Sequence, residues 1–518
     1  MLLTFEQYKD KVMGCFAGKN IGGVLGAPYE GWRQKVELDF YTQDLSMGPP
    51  PNDDLDLQIV WLAAVEKYGR NVNASILGEY WLSYIIPNWV EYGTGKANLR
   101  AGFVPPMSGV IDNTYKDSCG CFIRSELWAC LAPGHPEIAA RYAYEDAIVD
   151  HAEEGTQGEI FFAALESAAF VEKDINKLLD IALSYIPEDC ATAKCIQTAR
   201  SCYADKVPFF EARKQVHNCA PGTFGIQQCK ISEIPLEEQE LELGAPGFDA
   251  PENIGFAILG LLYGEGDFGK SLCHAVSCGE DTDCSGASLG ALLGILLGAD
   301  ALPEKWTAPL NDKIATLCID KTSRGVWVPE TVTELTDRIV RIAPSFLGLE
   351  YCDLLAQNGY TVSCLEGDAL LCNKVEDYIP LINGNFKDKN MPVNKLTQLS
   401  PYVARYEHPV FRVMVDYKDS VFFKTGENRS FKITVTETGL MCQQQWVKIQ
   451  LYLPDGVRAV NGANRLLPLN NLYMSKAEAE FELDLEQFCG ARLELIADIS
   501  LEGRHSSMPV KIMFVREA

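Results

Sequence analysis

Basic charge is scarce in this chain of 518 residues, where 45 lysines and arginines face 71 aspartates and glutamates, for a net charge of −26. A surface of that sign repels nucleic-acid phosphate, which excludes a non-specific DNA or RNA binder. Long apolar runs are missing as well. The longest, Ala287–Ala299, is too short for a membrane span and is broken by evenly spaced glycines. The N-terminal stretch Met1–Lys11 has no apolar core of a signal peptide, so a cytoplasmic protein without a membrane partner is expected. No P-loop, nucleophile elbow or His-Glu-x-x-His motif occurs. The one G-x-G-x-x-G string, Gly264–Gly269, follows a helix-like run (Phe256–Tyr263) instead of a strand, and reads as a helix–helix turn. Zinc spacing is absent too, because Cys119 and Cys121 have neither a second Cys pair nor a His partner at the required distance. The 18 cysteines are scattered through apolar helical text and read as small buried hydrophobes of a reduced compartment.

What is present is ordinary globular material, 47% hydrophobic and 22% charged with a mean hydropathy of −0.04, in a chain long enough for two or three domains. Helical periodicity predicts helices over Phe5–Leu25, Pro136–Asp150, Thr156–Phe170, Ile175–Tyr185, Ala191–Ala204, Phe209–Asn218 and Pro329–Ile342. Near residue 350 the texture changes. Strand-like runs follow at Phe411–Tyr417, Phe431–Thr438, Val447–Leu453, Phe481–Leu485, Arg492–Ile499 and Val510–Val515, with turn signals between them such as Thr425–Asn428. The expected architecture is mainly α: an all-helical domain over residues 1–348 and a smaller β-sandwich-like domain over 349–518.

Four stretches carry candidate chemistry. In the first helix Gly14, Gly18, Gly22 and Gly26 recur every four residues, which predicts a bare face for close packing, and Pro28 stops the helix before Glu30. Asn52-Asp53-Asp54 follow a Pro-rich loop and precede an apolar stripe of Leu55, Ile59, Leu62 and Val65. Asp281 and Asp283 lie before a second glycine-striped helix with Gly286, Gly290, Gly294 and Gly298. In a regular helix residues two apart point about 200° away from each other, so these two carboxylates converge only at a non-helical start. Each acidic pair has two readings, a helix N-cap favoured by backbone N–H groups and dipole, or a site for a hard cation. Ser118–Arg124 has small residues that admit a ligand near the backbone, and His151, alone between two helices, reads first as a structural hydrogen-bonder.

Taken in order, these blocks resemble the ADP-ribosylglycohydrolase family over roughly residues 8–345. They are the glycine stripe with Gly26-Ala27-Pro28-Tyr29-Glu30, then Asn52-Asp53-Asp54, then Cys119-Gly120-Cys121-Phe122-Ile123-Arg124 with Asp146 and His151, and last Gly279-Glu280-Asp281-Thr282-Asp283. The resemblance implies an all-α domain with two Mg²⁺ or Mn²⁺ ions in a cleft and a ribosyl substrate, small or protein-linked. It further implies metal ligation by Asn52, Asp53, Asp54, Asp281, Asp283 and Cys284. Glu30, Asp53 or Asp54 would serve as the catalytic acid or base, and Ser118, Cys119, Gly120, Cys121, Arg124 and His151 would bind substrate. Four positions depart from the family pattern: Asn52 and Cys284 each replace Thr/Ser, Gly23 stands where Asp is common, and Cys119 where Asn is common. A thiol is a poor Mg²⁺ ligand, so the departures bear on the metals and the substrate more than on the fold.

Overall fold

The computed structural model describes residues 1–33, 35–222, 247–322, 325–356, 359–372, 391–424, 426–437, 444–469 and 476–517. The chain divides into two units, Met1–Ala97 with Gly109–Cys372 and Asn98–Ser108 with Asn373–Ala518. The first unit is helical and the second is built of strands.

The first unit is organised around two antiparallel helices, Phe5–Gly26 and Thr282–Leu297. A capping box starts the former: the Thr4 hydroxyl accepts from the Gln7 N–H at 3.3 Å, and the Gln7 side chain accepts from the Thr4 N–H at 3.1 Å. The helix tightens into a 3₁₀ turn at Ala27–Tyr29, where Pro28 ends the ladder. The Thr282–Leu297 helix is buried on every side from Thr282 to Ile295, the mark of a core helix. Around this pair lie the helices expected from periodicity, observed at Pro136–Ala147, Glu153–Ala169, Ile175–Leu183, Ala191–Ala204, Phe209–Cys219 and Val332–Leu347. The G-x-G-x-x-G string is indeed a turn, between the helices Ala250–Tyr263 and Phe268–Ser277.

A three-stranded sheet not expected from the sequence pairs Leu2–Thr4 with Thr361–Ser363, which in turn pairs with Cys352–Asp353. Strands of two or three residues are too short to display a period of two.

In the second unit, one five-stranded sheet runs Val403–His408, Phe411–Asp416, Arg429–Glu437, Lys476–Asp484, Arg458–Ala459. The other runs Asn464–Leu469, Gln445–Tyr452, Arg492–Leu501, Ser507–Arg516, Phe422–Phe423. Alternating burial gives each central strand one apolar face, and Phe431 of the first sheet meets Phe514 of the second with ring centroids 6.1 Å apart. The four strands of these sheets missed by pattern reading, Val403–His408, Phe422–Phe423, Arg458–Ala459 and Asn464–Leu469, all lie at sheet edges, where apolar alternation is weak. Thr425 and Thr438 lie outside the described residues.

Candidate functional site

The candidate site forms where the end of the first helix meets the start of the Thr282–Leu297 helix. A Cβ added at Gly26 would sit 2.2 Å from the Thr282 carbonyl oxygen, so only glycine allows the approach. The Thr282 hydroxyl closes the junction by donating to the Gly26 carbonyl at 2.8 Å. The backbone enters the helix through left-handed residues, Gly279 (φ 76°) and Glu280 (φ 64°). Glu280 is fully buried and held there by Arg33 at 2.8 Å and by the Gly247 N–H. The Asp281 N–H donates to Asn253 Oδ1 at 3.0 Å. These contacts hold Asp281 outside the helix (φ −90°, ψ 78°), at its N-cap position. One carboxylate oxygen of Asp281, one of Asp283 and the Cys284 sulfur all fall within 4.8 Å of one another.

The Asn52-Asp53-Asp54 block joins this group. Asn52 Nδ2 donates to Asp283 Oδ2 at 3.3 Å, while its Oδ1 accepts the Asp54 N–H at 2.8 Å. The following helix begins at Asp56 with Leu55 in the capping position, so Asp53 and Asp54 do not cap it. Asp53 accepts from the Tyr92 hydroxyl at 3.3 Å. Asp54 is buried and neither of its oxygens meets an N–H or O–H donor; its neighbour is the Cys284 thiol. Oδ1 of Asp281 and Oδ1 of Asp283 are likewise buried without a hydrogen-bond partner. A Cβ at Gly23 would lie 3.1 Å from Asp54 Oδ2 and 3.2 Å from Asn52 Nδ2, so a side chain there would enter the group.

Burial and mutual repulsion raise these acids together. Glu30, which keeps exposed surface on the turn beyond Pro28, is pushed up to about 8 by desolvation and by Asp281, Asp53 and Asp54. Desolvation also lifts Asp54 to about 8 and Asp53 to about 6, and it raises Asp281 and Asp283. Orphaned carboxylate oxygens that repel one another in a buried cluster fit a divalent cation, and a cap from Asp281 to the Cys284 N–H would still leave its Oδ1 and both oxygens of Asp54 without a donor.

The small-residue loop lies beside this group. Ser118 Oγ meets His151 Nε2 at 2.9 Å, and His151 Nδ1 meets Asp150 Oδ1 at 3.0 Å. Burial lowers the His151 pKa, so its imidazole is neutral and hydrogen-bonds as a fixed strut. Arg124 is fully buried, with Asp150 at 2.6 Å and Asp146 at 3.0 Å, and its guanidinium is spent on the protein. The Cys121 thiol donates to the Gly155 carbonyl at 2.6 Å. Cys119 instead adjoins Cys284 and Asp281. Gly120 is required by a neighbour, since a Cβ would fall 2.1 Å from Glu91 Oε1. Glu91 is buried, Oε2 has no donor, and burial raises its pKa to about 8. Glu91, Tyr92 and Asn253 all border the site without having been singled out in the sequence. Glu91-Tyr92 stand in mixed aromatic text and Asn253 in an apolar helix, so no local pattern marks them. A separate cavity of about 690 Å³, lined by Phe209, Phe210, His274, Lys305 and Trp306 among others, contains none of these carboxylates.

A helical unit that buries an acidic cluster between two glycine-packed helix ends defines the class. The chain belongs to the ADP-ribosylglycohydrolase family, whose model matches residues 4–343. A solved chain described as an ADP-ribosylglycohydrolase-related protein complex is 18% identical, with a TM-score of 0.41 over 66% of this chain and 98% of that one. No curated protein matches the sequence. No helix among the described residues is long and apolar enough to cross a membrane.

Proposed function

We propose that this chain is a metal-dependent glycohydrolase that cleaves an N- or O-glycosidic bond to ADP-ribose or a related ribosyl group. Family membership supports the reaction class. The observation that carries the metal reading is the set of buried, donor-less oxygens on Asp54, Asp281 and Asp283. Asp53, Asp54, Asp281 and Asp283 would hold the cations, with Asn52 bridging Asp283 to the Asp54 backbone. Bound Mg²⁺ or Mn²⁺ supplies the charge that orients ribose hydroxyls and acidifies a water. Cleavage builds positive charge at the anomeric carbon, which the carboxylates stabilise. Glu30, the most exposed member of the group, is placed to take the proton of the attacking water, with the partly exposed Asp53 and the buried Asp54 as the competing bases. The Ser118–Arg124 loop, propped by His151, would line the substrate side of the carboxylate group. The carboxylate cluster favours this reading over a binding module that has lost turnover.

The test is hydrolysis of a panel of ADP-ribosyl and ribosyl compounds with Mg²⁺ or Mn²⁺, repeated with chelator and with Asp281→Ala. Release of ribosyl product that stops under both treatments is expected. Activity indifferent to both overturns the mechanism, and inactivity on the whole panel despite metal binding favours the binding module.

A further inference from the structure

We infer that one cation position of this site is a sulfur position, in which Cys284, with Asp281 and Asp283 and with the Cys119 thiol beside it, holds a thiophilic divalent ion such as Zn²⁺, Co²⁺ or Fe²⁺ in preference to Mg²⁺. The inference rests on the metal reading above and concerns the two residues where the chain departs from its family. The Cys284 sulfur shares a 4.8 Å cluster with carboxylate oxygens of Asp281 and Asp283, and it also borders Asp54. Cys119 comes from a loop distant in sequence, yet its thiol adjoins both Cys284 and Asp281. The contrast with Cys121, two residues away, is informative. Cys121 spends its thiol on a backbone carbonyl, whereas Cys119 and Cys284 face carboxylates that retain donor-less oxygens. Zinc spacing is invisible along the sequence because the two sulfurs are 165 positions apart, 284 minus 119.

Donor chemistry then sets the preference. A thiol sulfur beside two carboxylate oxygens, with a second thiol adjoining it, is a mixed donor set that suits Zn²⁺ or Co²⁺, whereas Mg²⁺ demands an octahedron of oxygens. Both cysteines are buried, at 1% and 8% exposure, so the sulfurs are enclosed as a closed site requires. On binding, each ligating S–H bond breaks, a sulfur–metal bond forms and the proton leaves to buffer. Asp53, Asp54 and Glu30 stay available to a hard second ion.

The experiment uses the full chain carrying Cys219→Ser and Cys489→Ser, which removes two exposed thiols, stripped of metal and titrated with Co²⁺. Expected is a near-ultraviolet sulfur-to-cobalt absorption that saturates near about one equivalent. Zn²⁺ should displace the Co²⁺, and about a hundredfold excess of Mg²⁺ should not. Cys284→Ser should abolish the band and Cys119→Ser should weaken it. Cys284→Ser supplies a hydroxyl, so its melting temperature should still rise with Mn²⁺, which shows that the variant is folded. Saturable Co²⁺ binding with no sulfur band, a band that survives both substitutions, or ready displacement by Mg²⁺ overturns the inference and leaves the metal reading standing. Failure of every divalent ion to bind or to raise the melting temperature overturns both.

Discussion

A Cβ on Gly22 would lie 1.9 Å from the carbonyl oxygen of Gly286, and one on Gly286 would lie 2.7 Å from the carbonyl oxygen of Gly22. The same backbone-on-backbone contact recurs between Gly18 and Gly290 and between Gly14 and Gly294. The two helices therefore run at a spacing that no side chain permits, and this spacing brings the turn of Glu30 against Asp281.

Gly22→Ala or Gly18→Ala should consequently damage stability and site together. Overpacking against backbone cannot be relieved by a rotamer change, so a loss of about 3 kcal/mol or more is expected in urea unfolding. Any folded remainder should bind Mn²⁺ more weakly, because the helix ends must move apart. A Gly22→Ala variant with wild-type midpoint and metal response would contradict this account of the helix pair.

Asp281→Asn separates metal binding from folding. It removes one of several buried like charges, so the metal-free variant should be as stable as the parent or more stable by up to about 1 kcal/mol. The rise in melting temperature with Mg²⁺ or Mn²⁺ should shrink or vanish, and hydrolysis should fall on the order of 10²-fold or more. Calorimetry with and without metal reads both effects. A variant destabilised without metal, yet still stabilised by it, would show that Asp281 is structural.

The cluster also predicts how metal and pH interact. Glu30 and Asp54 stand at about 8 and Asp53 at about 6, all above their unfolded values. A raised acid favours the folded state below its unfolded pKa. That contribution is lost as pH climbs toward the folded pKa, because charges must then be borne in the buried group. Through these three groups metal-free protein should therefore lose stability from about pH 4 to about pH 8, and the raised Asp283 adds to the loss in the same direction. Cations compete with those protons, so the metal-induced rise in melting temperature should be larger at pH 8 than at pH 5. Equal rises at both values would place the cation away from these carboxylates.

Much of this was legible because the decisive signals are local and periodic. The four-residue glycine stripes announced a close helix pair, and the acidic tripeptides before two helices announced the site. What stayed hidden depends on folding. Whether Asp281 caps its helix is decided by the left-handed Glu280 and by Asn253, one adjacent without any turn signature and the other 28 residues away. Glu91 and Tyr92 reach the site from a helix whose text is unremarkable, and Glu91 is marked only by the room that Gly120 leaves it. The proximity of Cys119 to Cys284 is a purely tertiary fact. The short strands at Leu2–Thr4 and Thr361–Ser363 escaped because pairing across most of the chain, not composition, creates them.

Arg124 illustrates how a residue matched to a ligand loop acts once its surroundings are seen. Its guanidinium is fully buried, bonded to Asp150 and Asp146, and stacked 5.2 Å from the Trp81 ring. Against the push of burial, Arg124 and His151 hold the Asp150 carboxyl below its usual range. Removing the cation leaves Asp146, Asp150 and the nearby Glu159 uncompensated, which costs on the order of 3–5 kcal/mol. Arg124→Met should therefore unfold at much lower urea. Arg124→Lys keeps the charge but loses the planar fork that joins two acids, and should fall between Met and parent. If Arg124 instead binds substrate directly, Arg124→Lys would raise KM with the urea midpoint unchanged. We expect the opposite pattern, a lowered midpoint with KM near the parent value in the folded fraction. The two quantities, measured on one preparation, decide whether this arginine holds the loop or the ligand.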